Sequence, residues 1–367
     1  MKPIFLYGTL RHLPLLEIVG GTASAIPAAL AGHGVFHAGE NNWPCIAKAE
    51  GRVDGLLIDG TEARARIDYY EGGYDYSLRP VAVETADGVV EAEVYWPGDS
   101  VPPPGAAWVL EDWVQRWAPM TLHVAREAME YYGDIDAQTL ARRMHVIRGR
   151  AGARLTAESG AAQTTSLGPI PEVKAEHVRE TRPYSNFYSL KEGDLRIPRF
   201  DGSMTDPVNR ASLVAFDAAV VLPYDPVRDR VLLIEQFRVG PSFRGDPQCF
   251  LIEAPAGAVD GGETPEEACH RELREEAGVT ARALHLCSSS YPTPAASTEF
   301  LSIYVAIADL PDTAGGMGGL ETENEDIRST IVDYARFEEM LDADVFKVGP
   351  LVIAGHWLAR NRARLRG

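Results

Sequence analysis

A chain of 367 residues exceeds one typical domain, so two bodies are expected. A formal net charge of −18 with 45% hydrophobic residues describes an acidic globular protein and argues against nucleic acid or an anionic membrane as principal partner. Four scattered cysteines without a CxxC pair, no apolar run near the ~20 residues that span a bilayer, and no basic-then-apolar start point to a reducing, cytoplasmic setting.

The opening KPIFLYGTLR reads as a short strand, Ile4–Tyr7, broken at Gly8, with Thr9 and Leu10 continuing the turn. Such a turn exposes successive N–H groups that can cradle an anion, although most strand-end glycines are only turns. Val53–Asp59 and Glu91–Trp96 read as further strands, and ARARIDYYEGGYDYSLRPVAVE as a short helix, a turn and a strand. Short strands with few helices suggest a small β-barrel-like α+β unit over residues 1–105. Glu71 stands out in it, flanked by Tyr69, Tyr70, Tyr74 and Tyr76. Aromatic bodies desolvate a carboxylate and raise its pKa, which suits proton transfer. A helix-end glutamate facing water is the plain alternative.

YGTLR, followed about sixty residues later by IDYYEGGY, resembles the gamma-glutamylcyclotransferase-like family over roughly residues 1–100. The resemblance implies that Tyr7, Gly8, Thr9 and Leu10 form the substrate loop and that Glu71 is the acid/base. Glu71 would free the α-amine of a gamma-glutamyl compound to attack its own γ-carbonyl, then protonate the departing amine as 5-oxoproline forms. A ligand-binding domain without turnover is the other reading.

Residues 106–156 read as a helical extension. Val109, Leu110, Trp113 and Trp117 recur at helical spacing and Pro119 breaks the pattern; a second segment runs from Met120 to Tyr132. Asp136 caps a third, expected to end before Gly149. AESGAAQTTSLGPIP, residues 157–171, has linker composition, and a second domain follows over 172–367. There Phe187–Leu190 and Leu195–Phe200 flank Gly193 as a hairpin, while Ala215–Pro223 and Arg230–Phe237 read as two strands. Strands, glycine loop, helix and further strands suggest an α/β/α sandwich.

The stretch GAVDGGETPEEACHRELREEAGV, Gly257–Val279, carries the chemistry. Thr264, Pro265 and Glu267 form a capping-box start and Gly278 a stop, which predicts a helix over 265–277. Glu272, Glu275 and Glu276 fall on one face, and Gly257, Gly261 and Gly262 let backbone approach a ligand. Hard oxygen donors with no Cys/His cluster suit magnesium, with manganese as the alternative, rather than zinc. The spacing resembles the Nudix box, G-x5-E-x7-R-E-U-x-E-E-x-G-U with U apolar: Gly257, Glu263, Arg271, Glu272, Leu273, Glu275, Glu276, Gly278 and Val279 fill every fixed position.

Over most of residues 175–367 the chain resembles the ADP-ribose pyrophosphatase (tellurite-resistance-associated) branch of that family. This implies hydrolysis of ADP-ribose to AMP and ribose 5-phosphate, by a homodimer formed through the Nudix domain. By resemblance Glu272, Glu275, Glu276 and the Ala256 carbonyl are metal ligands, with Glu275 also a catalytic candidate, oriented by Glu263 and Arg271. In the acidic loop LETENEDI, Glu323 matches the base and Glu325 a further metal contact. Phe187 matches an aromatic that a swapped partner stacks on adenine, Arg210 and Arg238 basic residues around adenine and diphosphate, Pro294 a proline associated with ADP-ribose preference, and Glu299 a nearby acid. Ala295–Ala296 replaces a glycine pair common in the family, so another nucleoside-diphosphate sugar beside a non-catalytic N-terminal domain is the alternative. The C-terminal segment Val348–Arg366 reads as a helix ending in Arg360, Arg362, Arg364 and Arg366, cations that oppose the helix dipole from solvent.

Overall fold

The apolar run near the N-terminus becomes β1 (Ile4–Leu6), with all three side chains buried, and the first unit closes around it. The structure, a computed structural model, describes residues 2–21, 24–160, 166–320 and 325–367, and its contacts separate units 1–155 and 156–367. β1 lies antiparallel to β3 (Pro44–Ile58) and parallel to β5 (Gly88–Pro97). β3 turns back on β2 (Ala25–Ala38) and β5 on β4 (Tyr76–Thr85). β2 meets β4 at Ala29–Glu84, so the order β3-β1-β5-β4-β2 returns to β3 and makes a closed five-stranded barrel, as expected. β6 (Pro104–Ala107) extends the edge of β2.

Helices α1 (Leu13–Gly20) and α2 (Thr61–Glu71) cover this barrel, burying Leu15, Val19, Ile58 and Ile67 with Trp108 and Trp113. The extension forms α3 (Leu110–Arg116), α4 (Ala118–Glu130) and α5 (Ala137–Glu158). Pro119 opens α4 instead of merely breaking a pattern, because a first-turn N–H has no intrahelical partner to lose. The Asp136 carboxylate accepts the Thr139 N–H at 2.7 Å, as a cap should. Gly149, however, does not end α5. It is buried within the helix, where packing of neighbouring Ile147 and Ala151 outweighs the roughly 1 kcal/mol cost of an interior glycine.

The second unit holds two sheets. β7 (Glu176–Ser185), β8 (Ser189–Arg196) and β9 (Val208–Val214) form a three-stranded antiparallel sheet. The first hairpin turns at Asn186–Tyr188 and not at Gly193, which sits mid-strand opposite Glu180 and Arg210. A Cβ on Gly193 would lie 2.7 Å from the Arg179 carbonyl, so this glycine serves close strand approach, not a turn.

The larger sheet contains β10 (Ala218–Asp225), β11 (Arg230–Phe237), β12 (Phe250–Glu253), β13 (Ala256–Ala258), β14 (Ala281–Ser290), β15 (Leu301–Ala308), β16 (Gly316–Gly318) and β17 (Ile327–Asp333). β10 and β11 pair only near their turn, at Tyr224–Val231 and Asp225–Arg230. Beyond it they splay, and β12 pairs with β11 while β13 pairs with β10. Helix α7 (Pro265–Ala277), which follows the short α6 (Val239–Arg244), packs Ala268, Cys269 and Leu273 on one face of the sheet. α8 (Tyr334–Asp342) and α9 (Gly349–Arg366) cover the other face with Phe337, Leu341, Leu351 and Leu358, giving the expected α/β/α sandwich. Among the described residues no helix is long and apolar enough to cross a membrane.

Both ends of α7 lie where local chemistry puts them. The Thr264 hydroxyl accepts the Glu267 N–H at 3.2 Å, Glu267 accepts the Thr264 N–H at 2.8 Å, and Gly278 adopts the left-handed region at φ 63. Thr264→Ala is expected to cost about 1 kcal/mol and lower the thermal midpoint by a few degrees, measured by calorimetry. An unchanged midpoint would show that Pro265 and Glu267 suffice. At α9, Arg360, Arg364 and Arg366 are exposed as expected, but Asp229 also pairs with Arg362 and Arg366, at 2.8 and 2.6 Å, and half-buried Arg362 lies 4.2 Å over the Tyr334 ring. Asp229, at φ 57 in the β10–β11 turn and held by Arg362 to a pKa of about 2, supplies the anion that pairs with them.

Candidate functional site

The buried stripe of α7 contains Ala268, Cys269, Glu272, Leu273, Glu276 and Ala277. Two of these six face the sheet as carboxylates, which is costly unless they are compensated. A side chain on Gly257 would overlap the Glu272 carboxylate, so only glycine lets β13 pass beneath it. The Ala256 N–H donates to Glu276 Oε2 at 2.8 Å. Burial pushes Glu272 up to about 7, against the pull of Arg271, while Glu275 and Glu325 add repulsion. Burial pushes Glu276 up to about 8; the Ala256 N–H and Arg238 oppose this, and Glu272 and Glu325 reinforce it.

Arg271 fans over this face. Its Nε and Nη2 grip Glu263 at 3.0 and 2.9 Å, Nη2 also reaches the Ala258 carbonyl at 2.8 Å, and Nη1 lies against Glu272 and 3.4 Å from Glu275. A loop closes the C-terminal end of α7: the Gly319 N–H donates to the Glu275 carbonyl at 3.2 Å, and the Leu320 N–H to Glu325 Oε2 at 3.2 Å. Glu323 lies outside the described residues. Among the described residues no three His, Cys, Asp or Glu side chains converge as a ready-made metal cage. The donors are nevertheless hard oxygens, mutually repelling and short of positive charge, which is the environment a divalent cation relieves.

The other expected residues lie on the flanks of this helix. Arg238 holds buried Glu253 bidentately, at 2.9 and 2.6 Å, and its charge also bears on Glu276 and Tyr188. Burial and Glu299 push the Tyr188 phenol up while Arg238 opposes. Phe187 packs edge-on to Tyr188 and Phe216, with ring centroids at 4.9 and 5.3 Å. Arg210 is exposed on β9 and donates to the Asn209 carbonyl at 2.7 Å. Pro294 is exposed on a loop that docks on the same strand, where the Leu213 N–H donates to the Ala296 carbonyl at 2.8 Å. Neither Ala295 nor Ala296 has a positive φ, so the alanine pair sits without backbone strain.

Four groups escaped sequence reasoning: Glu253, Tyr188, Phe216 and Asp217. Burial pushes Asp217 up to about 6, helped by Glu299 and opposed by the Phe300 N–H. Nothing local marks these residues, because each acquires its partners across strands. Tyr188 was adjacent to a chosen aromatic, and that was the one available signal.

In the first unit Glu71 is the last residue of α2. It is half-buried, with no hydrogen bond to its carboxylate from a described residue, and burial pushes it up to about 7. Its charge reaches the phenols of Tyr7, Tyr70, Tyr74, Tyr76 and Tyr95, all raised first by their own burial. Thr9–Arg11 form one 3-10 turn, whose first N–H groups have no acceptor within it. A Cβ on Gly8 would lie 2.7 Å from Pro44 Cγ, so the glycine permits this approach. Tyr7 and Leu10 are buried, while Gly8 and Thr9 stay partly open. Behind Glu71, Tyr95 donates to Asp68, and Arg64 holds Asp68 at 2.8 Å and Glu93 at 3.0 Å.

Comparison with known proteins adds two family matches: residues 215–349 match the NUDIX domain, and residues 4–115 match gamma-glutamyl cyclotransferase, AIG2-like. An ADP-ribose pyrophosphatase of Haemophilus influenzae is 32% identical over 206 residues, which are 56% of this chain and 94% of that protein. An ADP-ribose pyrophosphatase of Escherichia coli (strain K12) is 36% identical over 188 residues, 51% of this chain and 88% of that one. A GDP-mannose pyrophosphatase of Cronobacter sakazakii is 30% identical over 158 residues, 42% and 80% respectively.

Proposed function

Since the chain belongs to the Nudix family, as a Nudix hydrolase with a gamma-glutamyl cyclotransferase-like domain ahead of its Nudix domain, we propose that it hydrolyses ADP-ribose to AMP and ribose 5-phosphate. The observation that carries this reading is the carboxylate pair Glu272 and Glu276 on the buried face of α7, pushed by burial to about 7 and about 8. When bound there, magnesium or manganese supplies Lewis acidity toward the diphosphate and acidifies a water. Glu272, Glu275, Glu276, Glu325 and the Ala256 carbonyl would hold it, with Arg271 and Glu263 orienting the carboxylates. Glu323 takes the proton of the attacking water. Arg238 and Arg210 neutralise phosphate oxygens, Phe187 stacks on the base, and Pro294 and Glu299 border the terminal ribose. The enzyme works as a homodimer through its Nudix domain, in the cytoplasm.

The test is a metal-dependent hydrolysis panel of ADP-ribose, NADH, FAD and GDP-mannose. ADP-ribose should be cleaved fastest; equal rates on all, or best activity on GDP-mannose, would remove the ADP-ribose assignment. The second outcome would favour another nucleoside-diphosphate sugar, a reading supported by the alanine pair beside Pro294.

For the first domain we propose gamma-glutamyl cyclotransfer with Glu71 as acid/base, supported by its desolvated carboxyl, whose charge reaches the phenols of Tyr7, Tyr76 and Tyr95. Residues Tyr7–Leu10 present N–H groups to the substrate carboxylate or developing oxyanion. The α-amine bonds to its own γ-carbonyl carbon as the bond to the leaving amine breaks, and Glu71 carries the proton between the two nitrogens.

A further inference from the structure

The surroundings of Glu71 have two sides. On the barrel side Gly8 lies against Pro44, whose carbonyl also accepts the Tyr76 hydroxyl at 3.4 Å. On the other side the Gly72–Gly73 turn presses on α5, where a side chain at Gly73 would overlap Ala137 and Ala141. Tyr70 packs there against the cluster of Leu140, Met144 and Ile147. Residues 137, 141, 144 and 148 share one face of α5, so Arg148 stands on the stripe that receives the Glu71 segment. Its charge opposes the upward push that burial gives Tyr70 and Tyr74, the same phenols that feel Glu71. Arg150 is taken by Glu127 at 2.6 Å, whereas Arg148 is exposed and makes no ion pair with a described residue.

We propose that Arg148 is a specificity-determining residue that receives a carboxylate on the leaving group, so that the domain prefers gamma-glutamyl amino acids and peptides to neutral gamma-glutamyl amines and amides. This rests on the reading that the first domain takes gamma-glutamyl compounds. The N–H groups of the Tyr7–Leu10 turn serve the glutamyl head on the barrel side. With the reacting bond at Glu71, the leaving group extends toward α5, and a guanidinium there meets its carboxylate by charge-assisted hydrogen bonds. Because α5 lies beyond the matched residues 4–115, this preference belongs to the extension and not to the barrel.

The experiment compares 5-oxoproline release by the full chain from gamma-glutamylalanine and gamma-glutamylalaninamide. In the parent protein the acid should have the higher kcat/KM. Arg148→Ala should cut that acid-to-amide ratio about ten- to a hundredfold, chiefly through KM, and Arg148→Lys should keep most of it. A parent without preference, or a ratio unmoved by Arg148→Ala, overturns the proposal. Calorimetric binding of both compounds to the Glu71→Gln protein, with and without Arg148→Ala, separates the two claims. A binding preference lost with Arg148 but no turnover in the parent upholds carboxylate recognition and removes the cyclotransferase reading; no binding of either compound overturns both.

Discussion

If Glu276 is a metal ligand as proposed, Glu276→Gln is expected to lower metal-dependent diphosphate hydrolysis by about a thousandfold or more, because several kcal/mol of transition-state stabilisation would be lost with its charge. The fold should survive and even gain. Gln keeps an acceptor for the Ala256 N–H, while the buried charge disappears. The sign follows from linkage: the folded pKa of Glu276 is about 8 against an ordinary 4.5. Below about 4.5 both states hold the proton and nothing is lost. As pH rises toward 8 the unfolded chain ionises first, so the native state loses stability, by an order of a few kcal/mol at the plateau. Metal-free Glu276→Gln should therefore melt above the metal-free parent at pH 8 and alongside it near pH 4.5. A divalent cation should raise the parent's melting temperature more at pH 8 than at pH 6. Paired rate and calorimetric measurements check this, and an unchanged hydrolysis rate would refute Glu276 as ligand.

Glu71→Gln is expected to reduce 5-oxoproline release by roughly 10²–10⁴-fold, the usual contribution of a positioned acid/base. Glu71 titrates near 7, so kcat/KM in the parent should rise about tenfold per pH unit below 7 and level off above it. The variant should lose this limb. Here too the raised pKa means that the native state is favoured by the proton, so the variant should match or exceed the parent's stability above pH 7. A pH–rate profile that keeps its limb near 7 in Glu71→Gln would assign the titration elsewhere.

How much of this was legible beforehand depended on how local the cause is. The α7 start, its stop and its carboxylate face need only residues within one or two turns, and the capping box forms as written. Aromatic residues around Glu71 announced its desolvation because they are close in sequence as well as in space. Gly193 misled because a glycine in a polar stretch signals a turn, whereas strand crowding at Arg179 is a tertiary demand. Gly149 misled likewise, since the packing that carries α5 past it comes from α2 and α4. Glu253 looked like any strand glutamate; its bond to Arg238 spans fifteen positions and two strands. Asp229 adds to the C-terminal arginines a pairing with Arg362 and Arg366 from more than a hundred residues away, which no local pattern shows.

The splay of β10 and β11 has a mechanical consequence. β12 and β13 are one continuous segment with only Ala254 and Pro255 between them, and the Val221 N–H fastens the Pro255 carbonyl at 2.9 Å. Glu253, which grips Arg238, and Ala256, which grips Glu276, therefore hang on a single short thread. Any shift of Glu276 would therefore be passed along this thread to the Arg238 guanidinium. Arg238 and Glu276 are thus geared to each other by the three peptide bonds that separate their partners Glu253 and Ala256.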